Sequence, residues 1–341
     1  MAGLTGVQPD PDLMEWDYGG YEGLTAAQIQ ETTPGWDLWG DGVSSDGRAG
    51  INAALVKWLI AAQFPQWSRL PVVPVAVDGW DNRTYRLGDD MTVRLPTAAG
   101  YAPAVDKECD WLPRLAPALP AAVPTVLAKG APGAGYPFPW SVRGWLPGET
   151  ASLERIDDMT QFATNVAGFI LALQRCDPKA GPLAGAHSGY RGASPAHYDD
   201  ETRRCITALS DRIDTVRATE TWQAALEAQW CGTPVWFHGD IGGNNLLVTD
   251  GKLSAVIDFG TSGIGDPACD LVIAWTMLRE ESREVFRHTV GQDDATWARA
   301  RGWALWKSLL TLTQCSDPRD GRVAMHLGVI DAVLADHERF A

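Results

Sequence analysis

The chain has 341 residues, 45% of them hydrophobic, and a formal net charge of −15. That length can bury one large core or two modest ones, and the hydrophobic share is ordinary for a globular protein. So acidic a chain would be repelled by a phosphate backbone, which argues against a nucleic-acid partner.

Residues 1–49 read as an acidic N-terminal extension. The first 47 residues hold nine Asp or Glu and no Lys or Arg, so this segment accounts for nine of the fifteen excess negative charges. Trp16, Trp36 and Trp39 are unusual in a freely disordered tail and suggest an extension that docks on the body. The N-terminus shows no basic start followed by an apolar block, and no apolar run is long enough to span a bilayer, so a cytoplasmic protein without a membrane partner is expected. Six cysteines, Cys109, Cys176, Cys205, Cys231, Cys269 and Cys315, form no CxxC spacing. Reduced thiols follow, not a zinc site or a disulfide framework.

The body begins at Ile51, where Leu55, Leu59 and Ile60 recur at helical spacing until Phe64 and Pro65. Val72 to Val77, Arg83 to Leu87 and Met91 to Leu95 read as three strands, linked by a turn at Asp78 to Asn82 and by Gly88, Asp89 and Asp90. The DKECDWLPRL segment predicts the next helix. Val123 to Leu127 predicts a strand within a stretch dense in Pro, Ala and Gly, and PFPWSVRGWLPGE contains another. Phe162, Val166, Phe169, Ile170 and Leu173 share one helical face, closed by Asp177 and Pro178. Ile206, Leu209, Ile213 and Val216 mark a further helix. His187 and His197 lack the spaced partners of a metal site and read as loop residues. Asp266 and Pro267 form a helix start, as N-cap and first helical residue. Helices are expected around Ser282 to Thr289, Asp294 to Thr313 and His326 to Phe340, with Glu280, Glu281 and Glu284 on an exposed charged face.

The stretch from Trp236 to Leu271, WFHGDIGGNNLLVTDGKLSAVIDFGTSGIGDPACDL, carries the chemistry. Asn245 to Thr249 and Lys252 to Ile257 are short apolar runs separated by Asp250 and Gly251, a pair that favours a tight hairpin. If Thr249 faces Lys252, Asn245 lies opposite Val256, and Asp258 falls on the same face, diagonal to Asn245 at about 7 to 8 Å. Oxygen ligands on both sides could close on one Mg2+. Asp240 sits in HGDIGG, whose glycines suggest an exposed loop feeding the hairpin. Phosphoryl transfer to a hydroxyl needs metal neutralisation, alignment and an acceptor for the hydroxyl proton. Asp240, Asn245 and Asp258 suit those roles, and His238 reads as a brace for the loop. Singly, each of the three could merely cap a turn or end a strand.

His238, Gly239, Asp240 and Asn245, followed by Asp258, Phe259 and Gly260, resemble the catalytic loop and DFG element of kinases. With Gly239 in the arginine position and IDFG running on to Gly265, Asp266, Pro267 and Asp270, the pattern resembles the aminoglycoside phosphotransferase family. The resemblance implies an α+β, two-lobed, protein-kinase-like fold. Residues 50–145 would form a small N-lobe of antiparallel sheet plus helix, and residues 146–341 a larger, mainly helical C-lobe. It implies transfer of the terminal phosphate of ATP or GTP, with Mg2+, to a hydroxyl of a small molecule. Asp240 would be catalytic, and Asn245 and Asp258 would hold the metal. The turn containing Asp81 and Asn82 would cover the nucleotide phosphates, and backbone groups from Val142 through Gly144 to Trp145 would face the nucleobase. Arg94 stands where kinases usually carry a lysine, with Glu108 as its expected partner; a forked guanidinium reaches differently from an ammonium.

The favoured acceptor is an aminoglycoside or related antibiotic, which the overall acidity would suit. A metabolic kinase of a sugar, amino alcohol or hydroxy acid, or a macrolide kinase, is the alternative. A nucleotide-binding scaffold without turnover is the reading from another class. No GxxxxGK[ST] loop, HExxH or GxSxG motif is present.

Overall fold

The computed structural model describes residues 50–76, 78–79, 81–315, 317 and 319–340. The acidic extension at 1–49, Val77 at the end of the first expected strand, and Trp80 in the turn after it lie outside the described residues. The described chain forms two compact units, one of residues 50–147 and 255–260, the other of residues 148–254 and 261–340.

In the first unit, helix α1 (Ala53–Gln63) starts where Asn52 Oδ1 accepts the N–H groups of Ala54 and Leu55, both at 3.0 Å. Five strands follow the sequence pattern: β1 (Val72–Pro74), β2 (Asn82–Leu87), β3 (Met91–Pro96), β4 (Val126–Gly130) and β5 (Trp140–Gly144). They pair in the order β1-β2-β3-β5-β4, every pair antiparallel. Val56, Leu59 and Ile60 of α1 join Leu87, Val93, Leu95, Trp140 and Val142 in one core. Gly130 is required beside Trp140, because a Cβ there would come within 2.0 Å of the indole. Helix α2 (Ala102–Leu115) buries Val105, Leu112, Leu115 and the carboxylate of Glu108. β4 begins later than Val123. That residue is buried for another reason: its neighbour Ala122 bridges Ala255 in parallel, accepting the N–H of Val256 at 2.9 Å.

The second unit is mainly helical. Asp158 caps α3 (Met159–Gln174), which buries Phe162, Val166, Phe169, Ile170 and Leu173 as the sequence predicts. The helix expected through Ile206 and Val216 is instead two, α4 (Asp199–Ala208) and α5 (Thr215–Glu227). The break arises because Asp214 acts as an N-cap, accepting from Val216 and Arg217 at 3.1 Å, which leaves Val216 exposed. Strand β6 (Glu149–Thr150) pairs with β8 (Leu246–Thr249), which pairs with β9 (Lys252–Val256), while β7 (Val235–Phe237) pairs with β10 (Gly263–Gly265). Asp250 and Gly251 turn the β8-β9 hairpin with φ of 48° and 72°, the doubly positive geometry that an Asp-Gly pair favours.

Asp266 caps a 3-10 turn (Pro267–Val272) leading to α6 (Ile273–Thr276), α7 (Glu280–Val290), α8 (Asp294–Gln314) and α9 (Gly321–Phe340). α8 is buried on nearly every face, with Trp297, Trp303, Leu305 and Leu309 all in the core, so it is the axis around which α5, α9 and the 3-10 turn pack. Among the described residues no helix is long and apolar enough to cross a membrane.

Candidate active site

In the second unit the chain leaves β7 into the HGD segment, where His238 and Gly239 are buried and Asp240 is half-buried, not the exposed loop its glycines suggest. Burial is possible because its polar groups are satisfied. Asp270 accepts the backbone N–H of His238 at 2.8 Å and of Gly239 at 2.7 Å. Gly239 has φ of 88°, and a Cβ there would lie 2.9 Å from Thr261 Oγ1, so only glycine fits. Asp240 donates its N–H to His238 Nδ1 at 3.2 Å, and Thr261 donates to His238 O at 3.0 Å, which makes His238 a brace for the loop. Burial raises the Asp270 carboxyl above its usual range, and His238 with the two amides offsets this only in part.

Both oxygens of Asp240 are engaged. Asn245 Nδ2 donates to Oδ2 at 2.7 Å and to the Asp240 carbonyl at 2.9 Å, and Lys307 Nζ lies 2.7 Å from Oδ1. Burial alone would raise the Asp240 carboxyl, but Lys307 and Arg191 together hold it well below the usual carboxylate range. It is therefore ionised throughout ordinary pH.

Asn245 is not on the hairpin strand. It closes a 3-10 turn (Gly243–Asn245) just before β8, and Asp258 lies two residues beyond the end of β9 with φ of 65°. The cross-strand register expected for this pair therefore does not describe it. The hairpin forms, but both residues stand outside its ladder. A positive φ at a non-glycine residue is strain of the kind that a surrounding network must hold in place.

The first unit contains that network. Arg94 on β3 lies 3.3 Å from Asp258 Oδ1 through Nη2 and 3.7 Å from Glu108 Oε1 through Nη1. The expected Arg94 and Glu108 pairing is thus present only as the longer contact. Glu108 is held instead by Arg143 of β5, through a forked pair at 3.0 and 2.7 Å, and its Oε1 also accepts the Phe259 N–H at 3.1 Å. Arg143 wins because it faces Glu108 squarely enough for both nitrogens to bind, the geometry that makes arginine-carboxylate pairs strong. Burial would raise the Glu108 carboxyl, but Arg143 and Arg94 hold it down at about 2. Burial lowers Lys107, the residue before it, to about 8, against the pull of Glu108 and Asp258.

The remaining candidates lie in the same sheet. Asp81 O accepts the N–H and hydroxyl of Thr97 at 2.9 and 3.1 Å, and Asn82 opens β2 opposite Pro96, so this turn is tied to the end of β3. Val142 pairs with Val93 and Ala128 inside the sheet. The Gly144 N–H donates to Thr125 O at 2.9 Å and the Trp145 N–H to Asp90 O at 2.8 Å. These two amides are spent within the unit, where β5 is an interior strand.

Sequence reading missed Arg143, Lys307, Lys107 and Arg191. Two carried a signal: Arg143 is a lone cation in the apolar strand WSVRG, and Lys307 a lone cation in the apolar helical run ALWKSLL. A cation amid residues destined for burial implies a carboxylate partner elsewhere.

Among the described residues no group of three or more His, Cys, Asp or Glu could hold a metal. The donor chemistry of Asn245 and Asp258 nevertheless suits Mg2+. Asp240 anchors the Asn245 amide nitrogen, and Asn245 Oδ1 accepts a 3.3 Å contact from Asn244 Nδ2. Asp258 adds a carboxylate whose side chain is one-third exposed, at 33%. Both offer hard oxygen ligands.

A family profile described as "Phosphotransferase enzyme family" matches residues 72–303. A segment of 42 residues, 12% of this chain and 21% of the relative, is 52% identical to the acid phosphatase of Mycobacterium tuberculosis. Another of 59 residues, 17% of this chain and 22% of the relative, is 39% identical to the aminoglycoside 3'-phosphotransferase of Escherichia coli. The chain thus spans about a fifth of the length of the curated relatives it matches. The solved GDP complex of wild-type aminoglycoside 2'-phosphotransferase-IIIa superposes with a TM-score of 0.62 at 19% identity, covering 84% of this chain and 100% of that one. The two share a fold, an antiparallel sheet region followed by a mainly helical part.

Proposed function

The chain belongs to the phosphotransferase enzyme family, and from that membership we propose that it moves the terminal phosphate of ATP or GTP to a hydroxyl of a small molecule. The observation that carries this reading is Asp240, ionised and fixed on both oxygens at 2.7 Å by Asn245 and Lys307. A carboxylate so held can orient an acceptor hydroxyl and take up its proton as the new oxygen-phosphorus bond forms and the bond to the nucleotide diphosphate breaks.

Asn245 Oδ1 and the Asp258 carboxylate are the proposed Mg2+ ligands; the metal, when bound, would neutralise the nucleotide phosphates. Arg94, already beside Asp258, is the proposed phosphate contact, and Glu108 with Arg143 positions the backbone at Phe259. A cytoplasmic location suits an enzyme that draws on ATP or GTP and is part of this proposal. The names of relatives bring aminoglycosides into the acceptor panel, beside macrolides, sugars, amino alcohols and hydroxy acids.

The test is product formation from that panel with Mg-ATP and Mg-GTP. Asp240→Asn should lower kcat by at least about a thousandfold, as for a lost acid-base and orienting group, while nucleotide affinity measured by calorimetry stays within a few-fold. Equal loss of both would remove Asp240 from its role. Nucleotide binding without transfer to any acceptor would favour a scaffold without turnover.

A further inference from the structure

The surroundings of Asp240 within the second unit carry a charge opposite to that of the chain. Lys307 sits on Asp240 at 2.7 Å, and one residue earlier on α8 Trp306 presents its ring to Arg191, whose guanidinium lies 5.6 Å from the ring centroid. Among the described residues no carboxylate forms an ion pair with Arg191, whereas the acids on neighbouring elements are occupied. Asp199 binds Arg203 and the Trp222 indole, both at 2.7 Å, and Glu201 accepts the Trp306 indole at 2.6 Å. Asp266 is forked onto Arg299, and Asp270 is spent on the amides of His238 and Gly239. Lys307 is thus ion-paired with Asp240, and Arg191, held over the neighbouring Trp306 ring, acts electrostatically on the same carboxylate.

The same place is walled by aromatic rings. Tyr198 stacks on Trp306 with centroids 4.1 Å apart, and Tyr190 stacks on His197 at 3.3 Å. Tyr190, next to Arg191, is held at φ of 55°, a conformation a bulky side chain seldom adopts. Gly192, on the other side of Arg191, has φ of 80° and no room for a Cβ, which would meet Phe237 at 2.0 Å. The backbone is thus bent twice around Arg191 and pinned on both flanks. Strain of this kind marks a residue whose direction matters.

A polycation approaching Asp240 would have to displace Lys307 and come close to Arg191, and like-charge juxtaposition is a strong discriminator against such ligands. An anion would meet two donors set on an aromatic wall. We propose that the hydroxyl acceptor carries a carboxylate or phosphate, bound by Arg191 and Lys307 beside Asp240, and is not a polycationic amino sugar. This deepens the phosphotransferase reading and rests on it.

The experiment uses the full chain with Mg-ATP and Mg-GTP and a matched acceptor set: a neutral sugar, its sugar acid, its sugar phosphate, its amino sugar, and an aminoglycoside. Phosphorus NMR identifies products, and coupled nucleotide release gives kcat/KM. The sugar acid or the sugar phosphate should exceed the neutral analogue at least tenfold, and which of the two does so distinguishes carboxylate from phosphate recognition. Arg191→Met and Lys307→Met should each reduce that preference about tenfold, with Arg191→Lys restoring part of it; thermal unfolding checks that the variants fold, and the wild-type panel stands without them. Highest kcat/KM on the aminoglycoside would overturn the inference while keeping the phosphotransferase reading. So would an equal loss on charged and neutral acceptors in both variants. Absence of transfer to every acceptor would remove both.

Discussion

Replacing Arg143 by methionine tests the network around Glu108. The variant keeps most of the side-chain volume but leaves a carboxylate that is 3% exposed with the Phe259 N–H at 3.1 Å, Arg94 at 3.7 Å and the more distant charge of Lys107. Removing one partner of a buried ion pair costs about 3 to 5 kcal/mol. The remaining contacts should bring that to roughly 2 to 4 kcal/mol at pH 7. The pH dependence follows from the Glu108 carboxyl, held at about 2 against an ordinary 4.5. A group depressed in the folded state contributes stability that is complete above its unfolded value and is lost as pH falls through its folded value. Here the contribution is roughly 3 kcal/mol at neutral pH, and it should disappear between pH 4.5 and about 2. Urea unfolding of both proteins across this range, with hydrogen exchange at the Phe259 amide, is the assay. The gap between wild type and Arg143→Met should be widest at pH 7 and shrink steadily below pH 4.5, and the Phe259 amide should exchange faster in the variant. A gap that is independent of pH, or smaller than about 1 kcal/mol at neutrality, would mean that Arg143 is not what holds Glu108.

Three further outcomes are expected. Lys307→Met removes the cation nearest Asp240, whose carboxyl is held low in the native protein. The acid limb of the kcat/KM profile should therefore move to higher pH, and an unmoved limb would show that Lys307 does not set the ionisation. Arg299→Met strands the Asp266 carboxylate, 1% exposed and forked onto Arg299. It should cost about 3 to 5 kcal/mol, roughly 10 °C in Tm, read by calorimetry. Gly192→Ala places a Cβ 2.0 Å from Phe237 at φ of 80° and should lose about 2 to 4 kcal/mol in urea unfolding; a neutral result would remove the pinning of Arg191.

Local signals in the sequence translate directly into structure wherever their cause is local. The apolar face of Phe162, Val166 and Phe169 is a helix face because a period of 3.6 needs nothing from elsewhere, and Asp250 with Gly251 turns the hairpin because those two residues tolerate positive φ. Competition between local signals defeats the reading near Val216. The apolar spacing continues through Ile213, but Asp214 is better used as a cap, so the helix restarts. The HGD glycines suggest exposure when seen alone. Burial of His238 and Gly239 becomes possible once Asp270 accepts their two backbone amides, a partner more than thirty residues away. The same holds for the candidate site. Arg143 is 35 positions from Glu108 and Lys307 is 67 from Asp240. No periodicity spans such distances; only a lone cation in an apolar run hints that an acid waits for it.

The arginine at position 94 becomes intelligible through Arg143. A glutamate has room for several donors, and in Glu108 Oε2 takes Arg143 at 2.7 Å while Oε1 takes both Arg143 at 3.0 Å and the Phe259 amide at 3.1 Å. Little capacity is left for the strand residue, which approaches no nearer than 3.7 Å. Arg94 is thereby released from the helix glutamate and turns its other nitrogen to Asp258 at 3.3 Å. A lysine has one charged point and would have to choose between the two acids, whereas a guanidinium reaches both. Two arginines thus divide what a single lysine and glutamate do in the kinase pattern: Arg143 locks the helix carboxylate to the Phe259 backbone, and Arg94 stays beside Asp258, the acid proposed above as a metal ligand.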